Sequence, residues 1–144
     1  MEASNAFLAD SSARGLTEVD LVVMSQDPSV LAEGEVLWTQ YCVVCHKVTG
    51  EGLVGPNLTD PYWIHGGSPL EIHNTVVAGV VGKGMAAWGR QLGPDRIDAV
   101  VALVLTLRDT NVPGKEPEGD LYPAASDAAS SPAEVQMDEE AAEG

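Results

Sequence analysis

Two cysteines and a histidine fall within five residues, Cys42-Val43-Val44-Cys45-His46, and the chain has no other cysteine. On a helix, positions i, i+3 and i+4 share one face. Both thiols and the imidazole can therefore meet one flat ligand. That is the arrangement of c-type haem attachment: each thiol adds across a porphyrin vinyl group as a thioether, and His46 rises to the iron. A thioredoxin-like redox pair would need a strand leading into the helix, and no strand pattern precedes Cys42. A closed zinc site needs four ligands, often two Cys pairs. A disulfide scaffold needs more cysteines.

The opposite side of such an iron takes a second ligand or stays open. The candidates are Met24, Met85, Met137, His65, His73 and Lys83. Met24 precedes the first predicted helix, and Met137 sits far out in the C-terminal segment. A lone helical histidine such as His73 is more often a surface or satisfied core residue than a ligand. A buried methionine is often core filler, but Met85 lies among Gly82, Gly84 and Gly89. There the backbone can approach a ligand closely and there is little core to fill. Met85 is the favoured candidate.

Three helices are predicted to position these groups. Asp27-Pro28 reads as an N-cap with proline at the first helical position. Val30, Leu31, Gly34, Leu37, Trp38, Tyr41 and Cys45 then recur at helical spacing, which predicts a helix over 28–45. Residues 47–67 hold five glycines and two prolines and read as a loop. Ser68-Pro69-Leu70-Glu71 is a capping box that opens a helix over 69–80. Gly82, Gly84 and Gly89 predict a further loop. A last helix over 94–108 faces inward with Ile97, Val100, Val101, Val104 and Leu107, and Arg108 in its final turn suits the helix dipole. The expected organisation is an N-terminal linker or extra packing segment over 1–26, one all-α domain over 27–112, and an acidic, unfolded tail over 113–144.

The formal net charge is −15, and residues 109–144 contribute −9 of it. Phosphate-rich partners and anionic membrane surfaces would be repelled. No apolar run approaches the roughly 18 residues of a membrane helix, and the N-terminus lacks a signal-peptide pattern. Covalent haem attachment normally takes place outside the cytoplasm. The expectation is therefore a periplasmic chain, or one on the outer face of the cytoplasmic membrane, whose export signal or anchor is not part of this sequence.

Several motifs in order carry a resemblance: Gly34-x-x-Leu37-Trp38-x-x-Tyr41-Cys42-x-x-Cys45-His46, then Gly55-Pro56-Asn57-Leu58, Gly84-Met85-x-x-Trp88, and Val100 to Arg108. Together they resemble a class I cytochrome c. The stretch Pro56 to Gly67 and Asn111-Val112-Pro113-Gly114-Lys115 are similar to the dihaem subunit of cbb3-type oxidases. The resemblance implies a cytochrome c-like fold around one covalently bound haem c, with His46 and Met85 on the iron. It makes the Pro56 carbonyl the acceptor for the His46 ring N–H, and it places Trp63 and Trp88 along the haem, one of them near a propionate. Gly34 would let the first and last helices cross closely. This chain departs from the pattern in having one C-x-x-C-H motif rather than two. It also has Ala86 where a proline usually follows the ligand methionine, and Leu103 where an aromatic is usual.

The implied function is one-electron transfer, not bond-making chemistry, with a terminal oxidase and a quinol-oxidising complex as redox partners. The alternative is a haem enzyme or gas sensor with an open distal site. That chemistry wants a polar distal pocket, and Met85-Ala86-Ala87-Trp88 is apolar. The spacing of the two cysteines makes a direct prediction. Haem should stay with the polypeptide when the protein is denatured and extracted with acidic organic solvent; haem found in the organic phase would refute covalent attachment at Cys42 and Cys45.

Overall fold

The computed structural model of the chain describes residues 15–122. Residues 1–14 and 123–144, with Met137 and the outer part of the expected acidic tail, lie outside the described residues. Helix α1 spans Glu18–Met24 and α2 spans Pro28–Leu37. From α2 the chain continues through a π-helical turn, Trp38–Cys42, into α3, Val43–His46. Helix α4 is Pro69–Ala78, α5 is Trp88–Leu92 and α6 is Pro94–Leu107, with a 3₁₀ turn at Val81–Lys83. Two short strands, β1 (Tyr62–Trp63) and β2 (Asp120–Leu121), pair antiparallel, Tyr62 opposite Leu121 and Trp63 opposite Asp120. Among the described residues no helix is long and apolar enough to cross a membrane.

Local chemistry starts each helix. Asp27 Oδ1 accepts from the Ser29 amide at 2.9 Å and Pro28 follows it. The Ser68 hydroxyl accepts from the Glu71 amide at 3.1 Å while the Glu71 carboxylate accepts from the Ser68 amide. The same reciprocal box joins Thr17 and Asp20 at the start of α1. Within the 1–26 segment, α1 places Leu21 at 0% exposure against α4 and α6. It acts there as a packing element.

Helix α6 is the centre of the molecule. The sequence predicts one inward stripe, but every residue from Ile97 to Leu105 is buried, because α1, α2, α4 and α5 all pack around it. The closest crossing is with α2. A Cβ on Gly34 would lie 2.4 Å from the Ala99 carbonyl oxygen and 3.2 Å from the Leu103 Cβ.

Three expectations are corrected. The stretch around Gly89, predicted as loop, is the short helix α5, and Gly89 is buried in it. Arg108 lies just past α6 as its C-cap, not in its final turn. It leaves α6 in an extended conformation, donates from Nη1 to the Gly67 carbonyl at 2.8 Å, and lies 5.9 Å from the Tyr122 ring centre. The tail expected to be unfolded from residue 113 is instead packed through Tyr122. Its large apolar side chains are few, the exposed Leu121 and Tyr122, which packs partly buried against the core, and backbone hydrogen bonds hold the rest: Lys115 N to Glu51 O at 2.9 Å, Tyr122 N to Pro61 O at 2.7 Å, and the β1–β2 pair.

The crossing at Gly34 is testable. Gly34→Ala should cost about 1–3 kcal/mol, the usual penalty of overpacking, and denaturant unfolding of the holoprotein measures it. Unchanged stability would show that the two helices can part freely.

Candidate functional site

The π turn decides how the motif faces the core. One extra residue in the helical ladder rotates the face that follows by about 100°. Trp38 opens this turn and is buried at its start. Its indole Nε1 donates to the carbonyls of Lys47 (3.2 Å) and Val48 (3.1 Å), gripping the chain just beyond His46. Lys47 ends α3 with φ 68°, an uncommon conformation for a non-glycine residue. The chain thus turns sharply into the 47–60 loop directly after the histidine.

That loop wraps the imidazole. His46 Nδ1 lies 3.0 Å from the Pro56 carbonyl. A carbonyl only accepts, so the proton belongs on Nδ1 and the Nε2 lone pair is left for a metal. A Cβ on Gly55 would lie 2.5 Å from the ring Cε1, so only glycine fits beside it. The Trp38 ring stands 5.9 Å away, tilted by 33°. Burial holds His46 below the usual histidine range, the Pro56 bond opposes that, and the positive charge of Lys115 adds to it. The ring is therefore neutral near pH 7, the form that binds iron.

Cys42 and Cys45 are free thiols, both half-buried. Burial first, and then the neighbouring Cys45, push the Cys42 thiol up to about 11. Cys42, Met85 and Trp88 all pack partly buried against the same hydrophobic cluster. The Tyr41 and Trp88 rings meet at 5.0 Å. Met85 is held by reciprocal backbone bonds with Val80, both 3.0 Å, which tie its loop to the end of α4. Trp63 is buried beside Gly67, and its indole Nε1 is buried without a hydrogen-bond partner among the described residues. These features fit a haem: two unpaired thiols, an imidazole with a free Nε2, and an orphaned indole N–H suited to a propionate oxygen.

A scan against family models matches residues 29–104 to "Cytochrome C oxidase, cbb3-type, subunit III". The chain belongs to this family. Among curated relatives, the cbb3-type cytochrome c oxidase subunit CcoP of Rubrivivax gelatinosus is 34% identical over 109 residues, covering 74% of this chain and 35% of its own length. Subunit FixP of Bradyrhizobium diazoefficiens is 35% identical over 79 residues, covering 53% of this chain and 27% of its own length. The chain thus spans about a third or less of those relatives. No solved structure matches it. Family membership implies covalently bound c-type haem with iron and a role in electron transport.

Of the other ligand candidates, His73 is fully buried between α4 and α6, and its Nε2 lies 3.3 Å from Asp98 Oδ1. It is a core histidine paired with a carboxylate. His65 and Lys83 are exposed, and His65 lines an open groove with Glu71, Asn74 and Thr75. Sequence reasoning missed three residues that shape the site. Trp38 was read as a helical apolar position within a motif, Asn57 only as part of a motif, and Lys115 as a motif residue in an unpacked tail. Polar hydrogen bonds, which leave no periodic signature, are what bring them in.

His73→Gln keeps a donor for Asp98. It should leave the haem spectrum unchanged while costing about 1–3 kcal/mol for the disturbed buried bond. Spectra and denaturant melts of the variant check this; a changed axial-ligand spectrum would make His73 a ligand after all.

Proposed function

We propose that this chain is a mono-haem electron-transfer domain, with Cys42 and Cys45 as thioether attachment points and His46 and Met85 as axial ligands. The observation that carries the reading is the half-buried His46 ring, whose Nδ1 lies against the Pro56 carbonyl so that Nε2 is left for a metal, in the same short helical run as two free thiols. Bound there, a haem supplies a one-electron ferric–ferrous couple. Pro56 fixes the tautomer and raises the donor strength of the imidazole. Trp63 would offer its unpartnered indole N–H to a propionate, and Trp88 would line the haem. With histidine and methionine both on the iron, no site would be left for a substrate, and the chain itself would make and break no bonds.

The partners are a cbb3-type oxidase as electron acceptor and a quinol-oxidising complex as donor, on the outer side of the cytoplasmic membrane. Similarity to oxidase subunits supports the first. Residues 123–144 carry Asp127, Glu134, Asp138, Glu139, Glu140 and Glu143 and no basic residue. Charge of this kind acts on arrival rate more than on the final contact.

Met85→Ala is the deciding variant. It should keep the haem, abolish the weak ferric band near about 695 nm that marks methionine on iron, lower the midpoint potential and admit small ligands such as carbon monoxide. The parent protein, once reduced, should be oxidised by membranes containing a cbb3-type oxidase. A spectrum unchanged by Met85→Ala would overturn the ligand assignment, and failure to be oxidised would overturn the partner.

A further inference from the structure

The segment after α6 crosses back over the loop that carries Pro56. Asn111 N donates to the Thr59 carbonyl at 2.8 Å, and Val112 N donates to the Thr59 hydroxyl at 2.9 Å. Asn57, itself buried, donates from Nδ2 to the carbonyls of Val112 (3.2 Å) and Lys115 (3.3 Å). Lys115 binds the loop twice more, from its backbone N to Glu51 O at 2.9 Å and from Nζ to Val54 O at 3.1 Å. A Cβ on Gly114 would lie 2.4 Å from the Glu51 carbonyl oxygen, so the strap lies directly on the loop backbone. The strap therefore grips both sides of Gly55-Pro56, at Val54 and at Asn57. On its inner side the same loop is tied to α3, through Gly52 N to His46 O at 3.0 Å and Gly55 N to Cys45 O at 2.9 Å.

We propose that the 111–115 strap, with Lys115 as its main clamp, is a positioning element that presses the Pro56 carbonyl onto His46 Nδ1 and thereby lowers the haem midpoint potential. This rests on the reading of His46 as an axial ligand. An acceptor pulling on Nδ1–H makes the imidazole a stronger donor and favours ferric iron. Slackening that bond favours ferrous iron, so the potential rises. Simple loss of the Lys115 charge acts in the opposite direction, because a positive charge near the iron favours the less positive ferrous state. That charge is partly solvent-exposed and pairs with Glu118 at 3.4 Å.

The two effects differ in sign and in salt response. Lys115→Met should raise the equilibrium constant for reduction of the haem by about threefold, the order of one weakened hydrogen bond. The shift should persist at about 1 M salt, where the Debye length is about 3 Å. Lys115→Arg keeps a cationic donor and should stay near the parent value. Gly114→Ala lifts the strap without a change of charge and should shift the potential in the same direction as Lys115→Met. If Gly114→Ala fails to fold, Lys115→Met alone carries the test.

Amide hydrogen exchange in the holoprotein reads the loop independently of the iron, and Gly55 and Leu58 should exchange faster in Lys115→Met. Unchanged exchange overturns the bracing itself. A fall in potential that disappears at high salt reduces Lys115 to a surface charge and overturns the inference, as does faster exchange with an unchanged potential. A parent spectrum without a nitrogen-bound iron overturns the ligand assignment first, and this inference with it.

Discussion

The Ala99 carbonyl occupies the space that a side chain at position 34 would need. Backbone meets backbone there, and the rest of the molecule is arranged around that crossing. Helix α2 leads through the π turn into Cys42, Cys45 and His46, and α6 leads into the strap that lies over the histidine loop. Fixing where the two helices cross fixes both exits. The all-round burial of α6 follows from the same constraint, because a helix approached this closely on one side must be covered on the others by α1, α4 and α5. Those faces are aliphatic, with Ile97, Val100, Val101 and Val104 among the most buried residues, and each fully buried side chain of this kind contributes about 1.5–3 kcal/mol.

The site itself is held differently. Leu53 and Val54 of the 47–60 loop point outward, so apolar burial does little to fix it. Its order comes from a polar interior. Asn57 Oδ1 accepts from the Thr59 amide (2.8 Å) and hydroxyl (2.6 Å), while its Nδ2 reaches the strap. Each such bond contributes only about 0.5–1.5 kcal/mol net, but leaving one of these buried groups unpaired costs about 1–3 kcal/mol. The loop is therefore hard to displace piecemeal, although it has almost no core of its own.

This difference explains what the sequence could show. Asp27-Pro28 and Ser68-Pro69-x-Glu71 are local signals, complete within four residues, and the helices begin where they stand. The five-residue spacing of Cys42, Cys45 and His46 is equally local, so the candidate site could be read as a group. The π turn carries no local signature; Trp38 is placed by the carbonyls of Lys47 and Val48, which a periodicity count does not see. Helix α1 reads in sequence as no more than a linker or extra packing segment because its one fully buried residue, Leu21, gains its value from distant helices. The strap was misread for the same reason in reverse. Pro, Gly, Lys and Glu look like an unfolded tail when order is judged by apolar content, whereas here order comes from side-chain donors on Asn57 and Lys115 that reach backbone carbonyls some 50–60 residues away in sequence.

A polar loop is the appropriate material for this site. Apolar burial is proportional to area and has no preferred direction. It can bring a helix to a core, as it does for α6, but it cannot aim a carbonyl oxygen at one ring nitrogen. Hydrogen bonds weaken steeply away from linearity, so a chain of them carries orientation as well as position. Two such bonds bracket Pro56: Lys115 Nζ holds the Val54 carbonyl two residues before it at 3.1 Å, and the Pro56 carbonyl itself lies 3.0 Å from His46 Nδ1. Aliphatic packing thus delivers the motif to the core, and directional bonding sets the tautomer of the one imidazole that chemistry requires.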